Sequence, residues 1–179
     1  EFERDLFVRL RDGNKSKSMR HLFFAEREVA KIPDVPKDQD IQTITEAAVI
    51  GSGTMGGGIA MNFANVGIPV FVVDVSQKAL DAGLTKVREN YARSVSRGRL
   101  TQNDMNERMD LITGSTNYVD VANADIVIEA VFESLDLKKQ IFGELDEVCK
   151  PEAILASNTS SLDINEIGAS TSRPEKVCG

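Results

Sequence analysis

Residues 47–58 read AAVIGSGTMGGG, and this stretch decides the fold. Ala47–Ile50 is a short apolar run closed by a glycine turn, the pattern of a buried strand. From about Thr54 to Val66 the periodicity becomes helical, and Gly67 is placed to end the helix in the left-handed conformation. Val70–Val75 then predicts a second strand, apolar on both faces as a parallel strand between two helical layers should be. Asp74 stands near its end. Strand, glycine turn, helix and strand make one βαβ unit.

Downstream the alternation continues. Leu80, Leu84, Val87, Tyr91 and Val95 form one stripe of a long helix that stops at Gly98. A shorter helix is predicted over Thr101–Met109. Further strands are expected at about Leu111–Gly114, Ile126–Ala130 and Ile154–Ser157. Between the last two, Ser134 is placed to cap a helix carrying Leu137, Ile141, Leu145 and Val148. Asp163 and Glu166 have capping-box spacing for another helix, and Val177 with Cys178 opens a sixth strand. The pattern predicts an α/β fold, a Rossmann-type doubly wound and mainly parallel sheet.

Upstream the pattern differs. Phe2, Leu6, Phe7 and Leu10 recur at helical spacing, the polar stretch Asp12–Ser18 interrupts, and a second helical stretch carries Met19, Leu22, Phe23 and Ala30. Pro33 and Pro36, with Asp34, Lys37, Asp38 and Asp40, read as an extended linker. Residues 1–45 are thus expected to be a helical segment ahead of a Rossmann domain over 46–179.

Composition bounds the chemistry. Of 179 residues, 41% are hydrophobic and 27% charged, the balance of a globular domain. No apolar run approaches the roughly 20 residues of a membrane span. The net charge of −7 argues against nucleic acid as a partner, because phosphate affinity needs excess Lys and Arg. Cys149 and Cys178 read as packing residues, and no metal site is expected. His21 is the sole histidine and lies in the upstream segment, where it reads as structural or solvated.

Gly51-Ser52-Gly53-Thr54-Met55-Gly56 matches G-x-G-x-x-G between a strand and a helix. Gly51 permits the tight turn, Gly53 lets a pyrophosphate approach the backbone, and Gly56 allows close packing of helix on strand. The helix start offers free N–H groups and the positive end of its dipole. A carboxylate at Asp74, about 20 residues on, suits ribose hydroxyls and repels a 2′-phosphate, so NAD is expected rather than NADP. Lys86, Arg88, Arg93, Arg97 and Arg99 form a basic set on and after the long helix. Lys86, Arg93 and Arg97 share a face that is either a phosphate-attracting surface or a solvated one.

Three segments carry a family resemblance: AVIGSGTMGGG at Ala48–Gly58, DIVIEAVFE at Asp125–Glu133 and ILASNTSSL at Ile154–Leu162. Together they resemble the NAD domain of 3-hydroxyacyl-CoA dehydrogenases. Residues 21–33, HLFFAEREVAKIP, resemble the linker that follows the enoyl-CoA hydratase domain in multifunctional β-oxidation enzymes. The resemblance implies oxidation of (3S)-3-hydroxyacyl-CoA to 3-oxoacyl-CoA, with hydratase and C-terminal dehydrogenase domains as partners in a longer parent chain. It implies a cofactor set of Gly51, Ser52, Gly53, Thr54, Met55, Gly56, Asp74, Ala130, Val131, Glu133, Lys138 and Ser160. Ser160 would also touch the substrate hydroxyl, with Asn158 bracing its loop. The family's general-base histidine is expected beyond Gly179, so the chain by itself is expected to be inactive. Glu129 is the other acid of the EAVFE motif, and Lys138 otherwise reads as a solvated helix lysine. The implied compartment is the bacterial cytoplasm, or the peroxisome in a eukaryote. Two rivals stand beside this reading: a related 3-hydroxy-acid dehydrogenase and a non-catalytic NAD-binding module.

Overall fold

The computed structural model describes residues 1–29, 31 and 41–179. The expected linker at Pro33–Asp40 and the stripe position Ala30 lie outside the described residues. The chain divides into two units, Glu1–Gln42 and Thr43–Gly179.

The first unit holds two helices, α1 (Phe2–Asp12) and α2 (Asn14–Glu28). The expected polar interruption at Asp12–Ser18 is confined to Gly13. Asn14–Ser18 is helical, because the lysines and serines there have no Pro or competing turn to stop them. No residue of either helix is buried, and Phe2, Phe7, Leu10, Met19, Leu22 and Phe24 are all exposed. Phe23 and Phe24 meet edge to face at 5.4 Å, and the Arg27 guanidinium lies 3.4 Å over the Phe23 ring. His21 is exposed on α2.

The second unit is a six-stranded sheet of β1 (Ala47–Ile50), β2 (Val70–Val73), β3 (Ile112–Ser115), β4 (Ile126–Glu129), β5 (Ile154–Ser157) and β6 (Val177–Cys178). Its strand order is β3-β2-β1-β4-β5-β6, and all five pairings are parallel. The helices are α3 (Thr54–Asn65), α4 (Gln77–Ser96), α5 (Gln102–Asp110), α6 (Leu135–Val148) and α7 (Ile164–Gly168), with an unforeseen 3₁₀ turn at Tyr118–Val121. Alternation along β1 divides the core. Ala48 and Ile50 pack with Val127, Ile141, Phe142, Leu145 and Leu155 on one face of the sheet. Ala47 and Val49 pack with Ala60, Leu80, Val87 and Tyr91 on the other.

Strands β2, β3 and β4 differ from expectation by one or two residues at their ends; β2 and β4 stop short where Asp74 and Ala130 leave the sheet to line the cavity, and β3 is shifted by one residue. Ser134 occupies the N-cap of α6 without a side-chain capping bond. Asp163 caps α7 by accepting from the Asn165 amide, but Glu166 bonds Lys139 at 2.7 Å instead of closing a capping box. The reciprocal box forms at Thr101 and Asp104 on α5. Cys149 is buried as expected, whereas Cys178 is exposed on the edge strand β6. Burial raises the Cys149 thiol pKa, which keeps it protonated.

Register brings the carboxyl ends of four strands to one line. Ile50 pairs with Val73 on one side and with Glu129 on the other, and Glu129 pairs with Ser157. The strand order reverses between β1 and β4, which in open α/β sheets is where the ligand crevice lies.

Candidate active site: the nucleotide cleft and the serine loop

A cavity of about 570 Å³ opens at this switch point. The glycine turn forms its floor. Gly51 has φ +100, and a methyl group there would lie 2.8 Å from the Ala130 carbonyl oxygen. A methyl at Gly56 would lie 1.8 Å from the Gly51 carbonyl oxygen, so only glycine lets α3 begin this close to the turn. Gly53 differs: a side chain added there meets nothing within 4 Å. Gly53 also lines the cavity.

Asp74 leaves the end of β2 and turns toward the same cavity. Its Oδ2 accepts from the Ser52 amide at 2.8 Å and the Ser52 hydroxyl at 2.5 Å, and its Oδ1 accepts from the Val75 amide at 2.8 Å. The carboxylate thus fixes the turn and offers its remaining acceptor capacity to the cavity. Ser52, Thr54, Met55, Ala130 and Val131 line the cavity with it. Gly56 does not line it and acts through packing.

Sequence reasoning missed part of the wall. On α4, Ala79, Ala82, Gly83 and Lys86 line the cavity, together with Tyr118, Phe132 and Leu137. A methyl at Gly83 would lie 2.3 Å from the Ser52 carbonyl oxygen, so this glycine seats α4 on the turn. The signal was present: small residues at 79, 82 and 83 with a lysine at 86 fall on one helix face. Lys86 therefore separates from Arg93, with which it was grouped. Arg93 lines a shallower groove with Glu89, Ala92 and Ser96 and donates to Asn90.

The other expected residues gather beside the cavity, not in its lining. Lys138 is wholly buried, not solvated on its helix. Its ammonium lies 2.7 Å from both oxygens of Glu129, also wholly buried, and 3.4 Å from Glu133 Oε2. Glu129 further accepts from the Val131 amide and the Ser157 hydroxyl, each at 2.7 Å. Glu133 Oε1 accepts from the Thr159 hydroxyl at 2.5 Å, the Ser160 amide at 3.3 Å and the Ser161 hydroxyl at 3.2 Å. The Thr159 bond foremost, with the Ser160 amide and Lys138, lowers the Glu133 carboxyl to about 2. Asn158 donates its amide to the Glu129 carbonyl at 2.8 Å, and Asn158 and Ser160 are exposed. Among the described residues, no cluster of His, Cys, Asp and Glu is arranged to hold a metal, and no helix is long and apolar enough to cross a membrane.

Comparison with known proteins fits this geometry. The family described as 3-hydroxyacyl-CoA dehydrogenase, NAD binding domain, matches residues 46–179. The chain is 41% identical over 185 aligned residues to a peroxisomal bifunctional enzyme of Cavia porcellus, covering 99% of this chain and 25% of that protein. It is 44% identical over 132 residues to a 3-hydroxybutyryl-CoA dehydrogenase of Clostridioides difficile, covering 74% of this chain and 47% of that one. Among solved structures, a 3-hydroxybutyryl-CoA dehydrogenase from Escherichia coli superposes with a TM-score of 0.74 at 39% identity, covering 76% of this chain and 29% of that one. The chain spans about a quarter of the length of multifunctional relatives such as the Cavia enzyme.

Proposed function

The chain belongs to the 3-hydroxyacyl-CoA dehydrogenase NAD-binding domain family, and from that premise we propose that it is the cofactor-binding part of an enzyme oxidising (3S)-3-hydroxyacyl-CoA to 3-oxoacyl-CoA. One observation carries the reading: Gly53, with open space above it, and Asp74, at the end of β2, line the same cavity. A dinucleotide needs that pairing, with bare backbone for its pyrophosphate and a carboxylate for its adenosine ribose.

In this reading Gly51, Ser52, Gly53, Thr54 and Met55 receive the pyrophosphate at the start of α3, where the first N–H groups have no intrahelical acceptor. Asp74 accepts from the ribose hydroxyls and repels a 2′-phosphate. Ala130 and Val131 form the opposite wall. Glu133, Asn158 and Ser160, which do not line the cavity, are assigned to the reacting end of the cofactor and the substrate hydroxyl, with the buried Lys138 acting through its ion pairs to Glu129 and Glu133. Bound NAD supplies the hydride acceptor. The Ser160 hydroxyl, able to donate and accept, orients the substrate oxygen, and Asn158 holds the loop. Arg93 on α4 and Arg97 at its C-cap present cations to the phosphates of coenzyme A. In this reading α1 and α2 belong to a connection to a hydratase-type domain, and further dehydrogenase residues complete the parent enzyme. Its compartment would be the peroxisome in a eukaryotic cell or the cytosol of a bacterium.

A non-catalytic NAD-binding module is the second reading, favoured by the position of the sole histidine, which is exposed on α2 outside the unit that forms the cavity. Titration with NADH, NADPH and acetoacetyl-CoA tests both. The proposal expects NADH binding, weaker NADPH binding and competent binding of acetoacetyl-CoA. Preference for NADPH, or no nucleotide binding, would overturn it. Cofactor binding with no affinity for acetoacetyl-CoA would favour the module.

A further inference from the structure

The cavity wall and the serine loop meet in one group of charges, a buried Glu129–Lys138 pair with the exposed Glu133 beside it. Glu129 ends β4, Lys138 projects from the first turn of α6, and Glu133 stands between them in sequence. Lys138 reaches both carboxylates, Glu129 at 2.7 Å and Glu133 at 3.4 Å. Each carboxylate then serves a different neighbour. Glu129 holds the amide of Val131, whose side chain lies beside Gly51 in the cavity wall. Glu133 holds Thr159, Ser160 and Ser161. We propose that Glu129 is a positioning residue: through the Lys138 ammonium and Glu133 it sets the serine loop while fixing the cavity wall directly, so that the two halves of the site are held in one register.

The reason is electrostatic. A buried ammonium requires a close counter-charge. Glu129, wholly buried and bidentate to Lys138, meets that need and leaves most of Glu133 free for the loop. With Glu129→Gln the amide keeps the shape: its oxygen can still accept from the Val131 amide, while its NH2 can only donate to the Ser157 hydroxyl. It no longer neutralises Lys138, so the ammonium draws Glu133 inward and away from Thr159–Ser161. Replacing both partners by neutral groups, Glu129→Gln with Lys138→Met, removes that pull and returns Glu133 to the loop.

Amide hydrogen exchange reads this directly at Val131, Ser160 and Leu162, with NADH fluorescence titration in parallel. The expected result for Glu129→Gln is exchange about tenfold faster at Ser160 and Leu162 and NADH binding about tenfold weaker. The double variant should regain most of both. Unchanged exchange at Ser160 and Leu162 in folded Glu129→Gln, or a double variant no better than the single one, would overturn the proposal. Thermal melting identifies a variant that does not fold. Should Glu129→Gln fail to fold, Glu133→Gln, on the exposed side of the group, carries the test: with Glu129 still neutralising Lys138, it should speed exchange at Ser160 and leave Val131 unchanged, and unchanged Ser160 or faster exchange at Val131 would contradict the linkage. The NADH arm rests on the cofactor reading of the cavity. If the unaltered protein binds no NADH, that reading fails, while the exchange arm still decides the linkage.

Discussion

Ser52 and Asp74 are joined twice, the amide and the hydroxyl of Ser52 both donating to one oxygen of Asp74 at 2.8 and 2.5 Å. The acid at the end of β2 therefore holds the glycine turn. NADH should bind at least about tenfold more tightly than NADPH, a difference of about 1.4 kcal/mol. Asp74→Asn keeps the shape, removes the charge that repels a 2′-phosphate, and should narrow that ratio by about tenfold. Calorimetric titration measures both; equal affinities in the unaltered protein would refute the role given to Asp74.

Two glycines outside the G-x-G-x-x-G motif should respond in opposite directions. Gly83→Ala places a methyl 2.3 Å from the Ser52 carbonyl oxygen, so α4 must move off the turn, at a cost of about 1–3 kcal/mol. NADH affinity should fall with it. Gly58→Ala meets nothing within 4 Å inside α3 and should stabilise the protein by about 0.5–1 kcal/mol. Urea denaturation of the two variants checks the signs.

The Glu129–Lys138 pair should behave as a buried pair does. Lys138→Met alone leaves an uncompensated carboxylate in the core and should cost about 3–5 kcal/mol. Adding Glu129→Leu should recover much of that loss, because no charge then remains to be satisfied. Chemical denaturation of the single and double variants gives the coupling; equal losses would show that the pair is not an energetic unit.

Glu133 makes the serine loop sensitive to acid. Its carboxyl is lowered from 4.5 to about 2, foremost by the Thr159 hydroxyl. A depressed folded-state pKa gives stability that is present above the unfolded value and lost as pH falls through the folded one. The stability difference between the unaltered protein and Glu133→Gln should therefore be constant above about pH 5 and shrink between 4.5 and 2. Thermal melts across that range check the sign, and a difference that grows on acidification would contradict it.

Much of the fold was legible because its determinants are local. Ala47–Ile50, the three glycines and the apolar run after Pro69 name a βαβ unit from a dozen or so residues at a time. The floor of the cavity followed for the same reason. Lys138 was not legible: on α6 its spacing fits a solvated position, and only the tertiary fold brings it onto Glu129 at the end of β4. Nor was Gly83, whose role depends on how closely α4 descends on Ser52. Helix caps failed where tertiary partners won, as with Glu166, which bonds Lys139 in place of its own helix start. What the sequence withheld was the pairing of side chains from distant segments.

The central claim is that the open space over Gly53 is where a dinucleotide phosphate sits. Gly53 has φ −64 and ψ −170, a conformation open to any residue, and a side chain there would meet nothing within 4 Å. Gly53→Val should therefore fold and melt like the unaltered protein while losing NADH. Isothermal titration of both proteins with NADH is the most direct measurement. The account predicts saturable one-site binding to the unaltered chain and none detectable in folded Gly53→Val. NADH binding that survives that substitution unchanged would contradict it.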